Sequence, residues 1–222
     1  MVTFKGCFVQ HRCTRCRQRP LVVRASTQQQ QVSGQVEKAV STLKRAAATR
    51  DVKPVQVFDA MRQLEKLKLQ DEEWPGIVGR GDRWQLVFTT GVAKVREAMK
   101  NQGKGGGNYF PLTAAQRWDA RTGEIENGIF LGLIAALTFK GGYAYQGKKL
   151  SFDFDRLNIK LGPLKFEFKI KDAIVDYKPS AKDPFFIIFY VDDEVICARG
   201  RGGGIALWKK TEKDFDMKNL VA

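Results

Sequence analysis

The stretch ARGRGGGIALWKK, residues 198–210, admits three readings, and the choice among them sets the fold. Glycines flanked by arginines can cradle a phosphate, belong to an RNA-binding RGG box, or reverse the chain between two strands. A phosphate loop places its glycines between a strand and a helix start, whose amides and dipole meet the anion. Here IALWKK follows, with the pattern of a strand, and neither the GxGxxG nor the GxxxxGK[ST] spacing occurs. An RGG box works by repetition in a disordered segment, whereas this single copy sits between two apolar runs. The stretch therefore reads as a turn, with glycines where other residues would be strained. Phosphate contact by Arg199 or Arg201 is the second reading.

Working outward, FFIIFYV (185–191) and EVICARG (194–200) are two further strands joined through Asp192 and Asp193, residues suited to a turn. In LKFEFKIK, Leu164, Phe166, Phe168 and Ile170 alternate with Lys165, Glu167, Lys169 and Lys171. RWQLVFTT puts Trp84, Leu86 and Phe88 on one face, and KLSFDFDRL sets Leu150, Phe152 and Phe154 opposite Ser151, Asp153 and Asp155. These patterns predict half-buried antiparallel strands. IENGIFLG, ALTF and YAYQ lie between them, separated by the turn signals TG, GG and QGKK, and NQGKGGGN (101–108) reads as a mobile loop at one mouth. Short strands with tight connections predict a mainly β fold, an up-and-down antiparallel barrel of about eight to ten strands, a size that can hold one small ligand.

The amino end has a different composition. Between Met1 and Gln35 there is no acidic residue, while Lys5, Arg12, Arg15, Arg17, Arg19 and Arg24 are basic, which predicts an organelle transit peptide. VVRAST (22–27) resembles a chloroplast processing site with cleavage after about Ala25; mitochondrial import is the second reading. Removing residues 1–25 lowers the net charge from +14 to +8, so much of the apparent attraction to nucleic acid is an import signal, and no nucleic-acid partner is expected. Cys7, Cys13, Cys16 and His11 go with it and leave Cys197 alone. Without histidine, the Ser-His-Asp triad, the Cys-His pair and the ordinary zinc sites are excluded; enzymes that use only carboxylates, Lys or Tyr stay allowed, but no enzyme, metal or cofactor is expected.

Residues 26–33 (STQQQQVS) read as a polar linker and residues 34–73 as a helical segment. In the latter Val36, Ala39, Val40, Leu43 and Ala47, then Val57, Met61 and Leu64 after Pro54, recur at helical spacing. One or two short amphipathic helices are predicted, with Lys38, Lys44, Arg45, Arg62, Lys66 and Lys68 on a polar face that is either merely solvated or meets a membrane surface or a partner. DEEWPG (71–76) reads as a helix stop, and residues 74–222 as the β domain. The apolar run IFLGLIAALTF (129–139) is too short for a membrane-spanning helix.

Three segments together resemble the plastid lipid-associated protein family, also called fibrillins or plastoglobulins: GDRWQLVFTT (81–90), IENGIFLG (125–132) and FYVDDEVICARGRGGGIALW (189–208). Gly81, Trp84, Thr89 and Thr90 match the start of the family pattern, and Tyr190, Asp192, Arg199 and Gly200 its end, over residues 35–210. The chain departs in having Phe88 where tyrosine is usual and in the NQGKGGGN loop. The resemblance implies a lipocalin-like barrel residing in plastids at thylakoids or plastoglobules. It also implies binding or organisation of an apolar lipid or isoprenoid ligand, such as carotenoids or prenylquinones, at the membrane or lipid-droplet surface.

Within such a barrel the expected lining is Trp84, Phe88, Phe152, Phe154, Phe166 and Phe168. Alternating aromatics also fill small barrels, so a hollow cup and a filled scaffold both fit the sequence. Tyr190, Asp192 and Arg199 are the expected polar residues of the cavity or its hairpin. Arg199 shares a strand face with Val195 and Cys197; if that face is internal it needs a partner, with Asp192 or a ligand carboxyl as candidates. Asp153 and Asp155, about 7 Å apart along one strand, read as a solvated outer face. Asp192, Asp193 and Glu194 read as turn chemistry in place of a cation site. The oligomeric state is left open.

Overall fold

A computed structural model describes residues 22–69, 71–91 and 106–219 of the 222, with side chains from Val32 onward. The proposed transit peptide (1–25) lies outside these residues up to position 21, as do residues 101–105 of the NQGKGGGN loop. The chain divides into two compact units, residues 1–34 and 35–222. In the first, the backbone is helical from Val22, as part of helix α1 (Val22–Thr49), so residues 26–33 are helix and not an unfolded linker. Glutamine is a good helix former, and four in a row outweigh the turn tendency of the flanking serines.

In the second unit α1 is followed by α2 (Pro54–Leu67) and α3 (Trp74–Val78). Pro54 and Pro75 both sit in a first helical turn, where a missing N–H costs nothing. For that reason DEEWPG starts a short helix where a stop was expected. Among the described residues ten strands follow: β1 (Arg80–Thr89), β2 (Asn108–Tyr109), β3 (Thr113–Asp119), β4 (Glu124–Leu131), β5 (Ala135–Gln146), β6 (Lys149–Leu161), β7 (Leu164–Lys169), β8 (Phe185–Val191), β9 (Val195–Gly200) and β10 (Ile205–Lys210). A last helix, α4, spans Phe215–Lys218.

The fold is mainly β, one antiparallel sheet whose pairings run in a ring. Eight strands take the order β10-β9-β8-β6-β5-β4-β3-β1, and β1 pairs with β10 to close it, while β7 and β2 are appended to β6 and β1. The opening stretch of sequence is the β9–β10 hairpin, with Arg199 opposite Ile205 and a tight turn bonded from the Gly200 amide to the Gly204 carbonyl at 2.8 Å. Gly204 is required by closure: a Cβ there would lie 2.3 Å from the carbonyl oxygen of Thr90, at the end of β1. The same junction is bonded from the Thr90 amide to the Ile205 carbonyl and from the Ile205 amide to Thr90 Oγ1, both at 3.0 Å.

Between ALTF and YAYQ the sequence signal GG marks no turn. Gly141 and Gly142 lie inside the twelve-residue β5, where the register with β6 shifts. A Cβ on Gly141 would lie 2.0 Å from the Asp153 carbonyl oxygen, so the glycine permits a close backbone approach at a bulge.

Both faces of β8, β9, β10 and β1 are covered. Outward, Val87, Phe88, Phe189, Val195, Cys197, Ile205 and Leu207 pack under α1 and α2, against Leu43, Val57, Met61 and Leu64. Inward, Trp84, Ile188, Ile196, Ala198 and Trp208 meet Trp118, Ile125, Leu150 and Phe152. Among the described residues no helix is long and apolar enough to cross a membrane.

Gly204→Ala is expected to lower the urea midpoint by about 2 kcal/mol or more of stability, since β1 must move away from β10 to admit the methyl. Chemical denaturation against the parent chain checks this; an unchanged midpoint would refute the role given to closure.

Candidate functional site

Inward-facing aromatic rings form a continuous series across the ring of strands. Trp118 meets Trp208 at 6.5 Å between centroids, Trp208 meets Phe186 at 5.3 Å, and Phe186 stacks on Phe152 at 5.2 Å. Phe152 then meets Phe154 at 5.4 Å, and Phe154 meets Phe139 at 5.6 Å. The series runs from a buried end to an open one: Trp84, Trp118 and Trp208 are 0–2% exposed, whereas Phe139, Phe154 and Phe186 are only half-buried. The indole N–H groups of the three tryptophans meet no hydrogen-bond acceptor among the described residues. Edge-on ring contacts at 77° and 76° surround Trp208 instead.

The open end follows from how β6 is shared. β6 pairs with β8 only through Lys149, Leu150 and Ser151, then beyond a bulge pairs with β7 from Arg156 to Leu161. The far halves of β5 and β6, with β7, therefore extend past the ring, and their inward face continues without an opposing strand among the described residues. That face carries Leu137, Phe139, Leu157 and Ile159, all partly exposed, and ends at Leu131, Leu133, Ile134, Leu161 and Leu164. The last five are 50–76% exposed.

Six lining residues were expected, and the structure divides them. Trp84, Phe152 and Phe154 share the inward cluster. Phe88 faces outward, against Tyr109 at 5.7 Å and under the helices, because a bulge between Leu86 and Phe88 inserts Val87 and reverses the alternation. Phe166 and Phe168 lie on β7, which pairs with β6 alone, opposite Ile159 and Leu157 on the open inward face, and are 45% and 50% exposed, so the regular alternation of LKFEFKIK does not mean half-burial. Trp118, Phe139, Phe186 and Trp208 were missed. Phe186 and Trp208 sit in continuous apolar runs and Trp118 in a run without a period of two, so only the register shows which face each ring shares.

Tyr190, Asp192 and Arg199 form a clamp between helices and sheet in place of a cavity wall. Asp192, at the β8–β9 turn, accepts the amides of Glu194 and Val195 at 2.8 Å and the Tyr190 hydroxyl at 3.0 Å. Lys44 of α1 reaches Asp192 at 3.0 Å and Glu194 at 2.6 Å. Burial pulls the Asp192 carboxyl upward, but these amide, ammonium and hydroxyl donors hold it below its ordinary pKa. Burial first, and then the same carboxylate, push the Tyr190 hydroxyl well above its usual range.

Arg199 does share a face with Val195 and Cys197, yet its partner is Glu65 of α2, neither Asp192 nor a ligand. Two bonds of 2.6 and 2.8 Å make the pair bidentate; Arg199 also donates to the Gly203 carbonyl. Glu65 receives Arg62 at 2.5 Å as well. Lys44, Arg45, which pairs with Asp51 at 2.9 Å, and Arg62 are therefore neutralised within the chain, leaving Lys38, Lys66 and Lys68 exposed on the helices. Cys197 lies fully buried beneath α1 and α2, and burial drives its thiol pKa far upward, away from thiolate reactivity.

The outward face of β3 to β5 is polar. Arg83, 6% exposed, bonds Glu126 at 2.7 Å and Asp216 of α4 at 2.8 Å and lies over the rings of Phe130 and Phe215. Lys140 reaches Glu126 at 3.2 Å, beside a polar cleft lined by Arg117, Asp119, Arg121 and Glu124. Asp155, expected to be solvated, is 1% exposed: it pairs with Arg156 at 2.9 Å and accepts the Ile174 amide at 2.7 Å, tying the segment after β7 to the β6 bulge. Asp153 pairs with Lys171.

For Glu65, burial raises the carboxyl, yet the Arg199 and Arg62 guanidinium groups leave it below its ordinary value near 4.5. A depressed folded-state pKa gives stability that is present above the unfolded value and lost as pH falls through the folded one. Glu65→Gln should therefore cost about 2 kcal/mol at neutral pH. The gap to the parent chain should close in acid, which urea titrations at stepped pH will read. Comparison with protein-family models and with curated proteins returned no match.

Proposed function

We propose that this chain is a non-catalytic plastid protein that holds or organises apolar lipids or isoprenoids at thylakoids or lipid droplets, its ring of strands acting as a lipocalin-like barrel. The observation that carries the reading is the inward face of β4 to β7, where an apolar surface continuous with a buried aromatic series lies open to water. Monomeric proteins rarely expose so extended an apolar surface without a use for it. A bound chain would remove that surface from water at about 25 cal/mol per Å².

Trp118, Trp208 and Phe152 would form the floor, Phe186, Phe154 and Phe139 the wall, and Leu137, Leu157 and Ile159 the entrance. The floor offers rings and no charge, which suits a hydrocarbon or isoprenoid better than an anion. The acidic-free, arginine-rich segment before Gln35 supports import into a plastid, and the three segments that resemble the plastid lipid-associated family support the lipid reading. A second reading, a coat with its interior filled by its own side chains, is favoured by the tight burial of the three indoles.

Titration with a fluorescent polyene fatty acid separates the two. Quenching of tryptophan emission that saturates near one probe per chain is expected, with Phe139→Ala weakening the probe about tenfold or more. Phe88→Ala should lower stability without changing probe affinity, because Phe88 faces the helices. Quenching that never saturates, or that is indifferent to Phe139→Ala, would favour the filled coat.

A further inference from the structure

β7 is an edge strand with no partner on its outer side among the described residues, and every residue in it is exposed. Its backbone N–H and C=O groups on that side form a template for another strand. Leu164, Phe166 and Phe168 occupy one face; Lys165, Glu167 and Lys169 occupy the other. Glu167 has no ion-pair partner among the described residues. Lys165 stands opposite Lys160 of β6. Burial first, and then the Lys165 ammonium, hold Lys160 below its ordinary pKa against the opposing pull of Glu126.

We propose that two copies of this chain pair antiparallel through their β7 edges, with the two-fold axis at Phe166. Phe166 then faces Phe166 of the partner subunit, Leu164 faces the partner's Phe168, and Lys165 faces the partner's Glu167. Symmetry produces each unlike pair twice.

The register follows from the side chains. Directly opposed residues share a sheet face, so a slip by one residue would mix the apolar and charged rows. An axis at Lys165 or Glu167 opposes like charges at its centre. An axis at Phe168 pairs Glu167 with the partner's Lys169 but sets Lys165 against the partner's Lys171. Only the axis at Phe166 joins apolar to apolar and opposite to opposite along the strand. It also brings a carboxylate to the Lys160–Lys165 corner. The apolar row of β7 adjoins the proposed ligand face, but the pairing needs no ligand and its test reads self-association alone.

Sedimentation equilibrium of the full chain in reducing buffer tests it, with circular dichroism as a folding control. The wild-type chain should dimerise over a concentration series, and Glu167→Lys should raise the dimer dissociation constant at least about tenfold, since two attractive pairs become two repulsive ones. Lys165→Glu should do the same. The double exchange K165E/E167K restores opposite charges in this register alone and should recover dimerisation to within about threefold of wild type. These positions are exposed, so folding should be retained. A wild-type chain that stays monomeric throughout overturns the proposal. So does a dimer indifferent to Glu167→Lys, or a double exchange that fails to recover. Association only with vesicles, with no dimer, overturns it in favour of a lipid surface on β7.

Discussion

Closure of the sheet by β1 on β10 is the constraint from which the rest of the arrangement follows. The first long strand meets the last one, Trp84 opposite Lys210 and Thr89 opposite Ala206, and six strands lie on the path between them, with β2 and β7 appended to it. Without that pairing both strands would be edges, and the inward row of Trp84, Ile196 and Trp208 would have no opposing wall. Closure also makes β8 to β10 two-sided, which explains their nearly continuous apolar sequence. One side feeds the interior and the other supports α1 and α2. Glu65 with Arg199, and Lys44 with Asp192, then fix the helices on that outer side through charged bonds that apolar packing alone would not orient.

The ring is not equally tight everywhere. Where β6 meets β8 only three residue pairs join the two sides, and past them β6 exchanges β8 for β7. The buried bulge residue Asp155 anchors the chain that returns from β7, so the departure is built into the fold by specific hydrogen bonds. Its effect is to carry an inward apolar face out into solvent. An apolar surface left open by a structural exchange of partners, and reached through a line of rings from a buried floor, is the physical basis of the lipid reading.

Much of this was legible in the residues. Leu150, Phe152 and Phe154 alternate and face inward together; Val57, Met61 and Leu64 recur at helical spacing and are buried; the RGRGGG turn joins two strands as its neighbours require. What was hidden is nearly all due to bulges and to partners distant in sequence. One inserted residue, Val87, sends Phe88 to the other face, and no periodicity reports it. Gly141 looks like a turn because the signal for a close approach is the same as that for a reversal. Arg199 was recognised as needing a partner, but Glu65 lies 134 positions away, beyond any local rule. The six residues of β7 have a perfect strand pattern and still lie in water, since alternation describes a strand and not what covers it.

The central claim is that the open inward face holds a specific apolar molecule. Its most direct test is mass spectrometry of an organic extract from the processed chain, purified from plastids without detergent. One apolar compound at near-equal molar ratio is the result predicted. A protein free of lipid, or one carrying bulk membrane lipids in no fixed ratio, would contradict it.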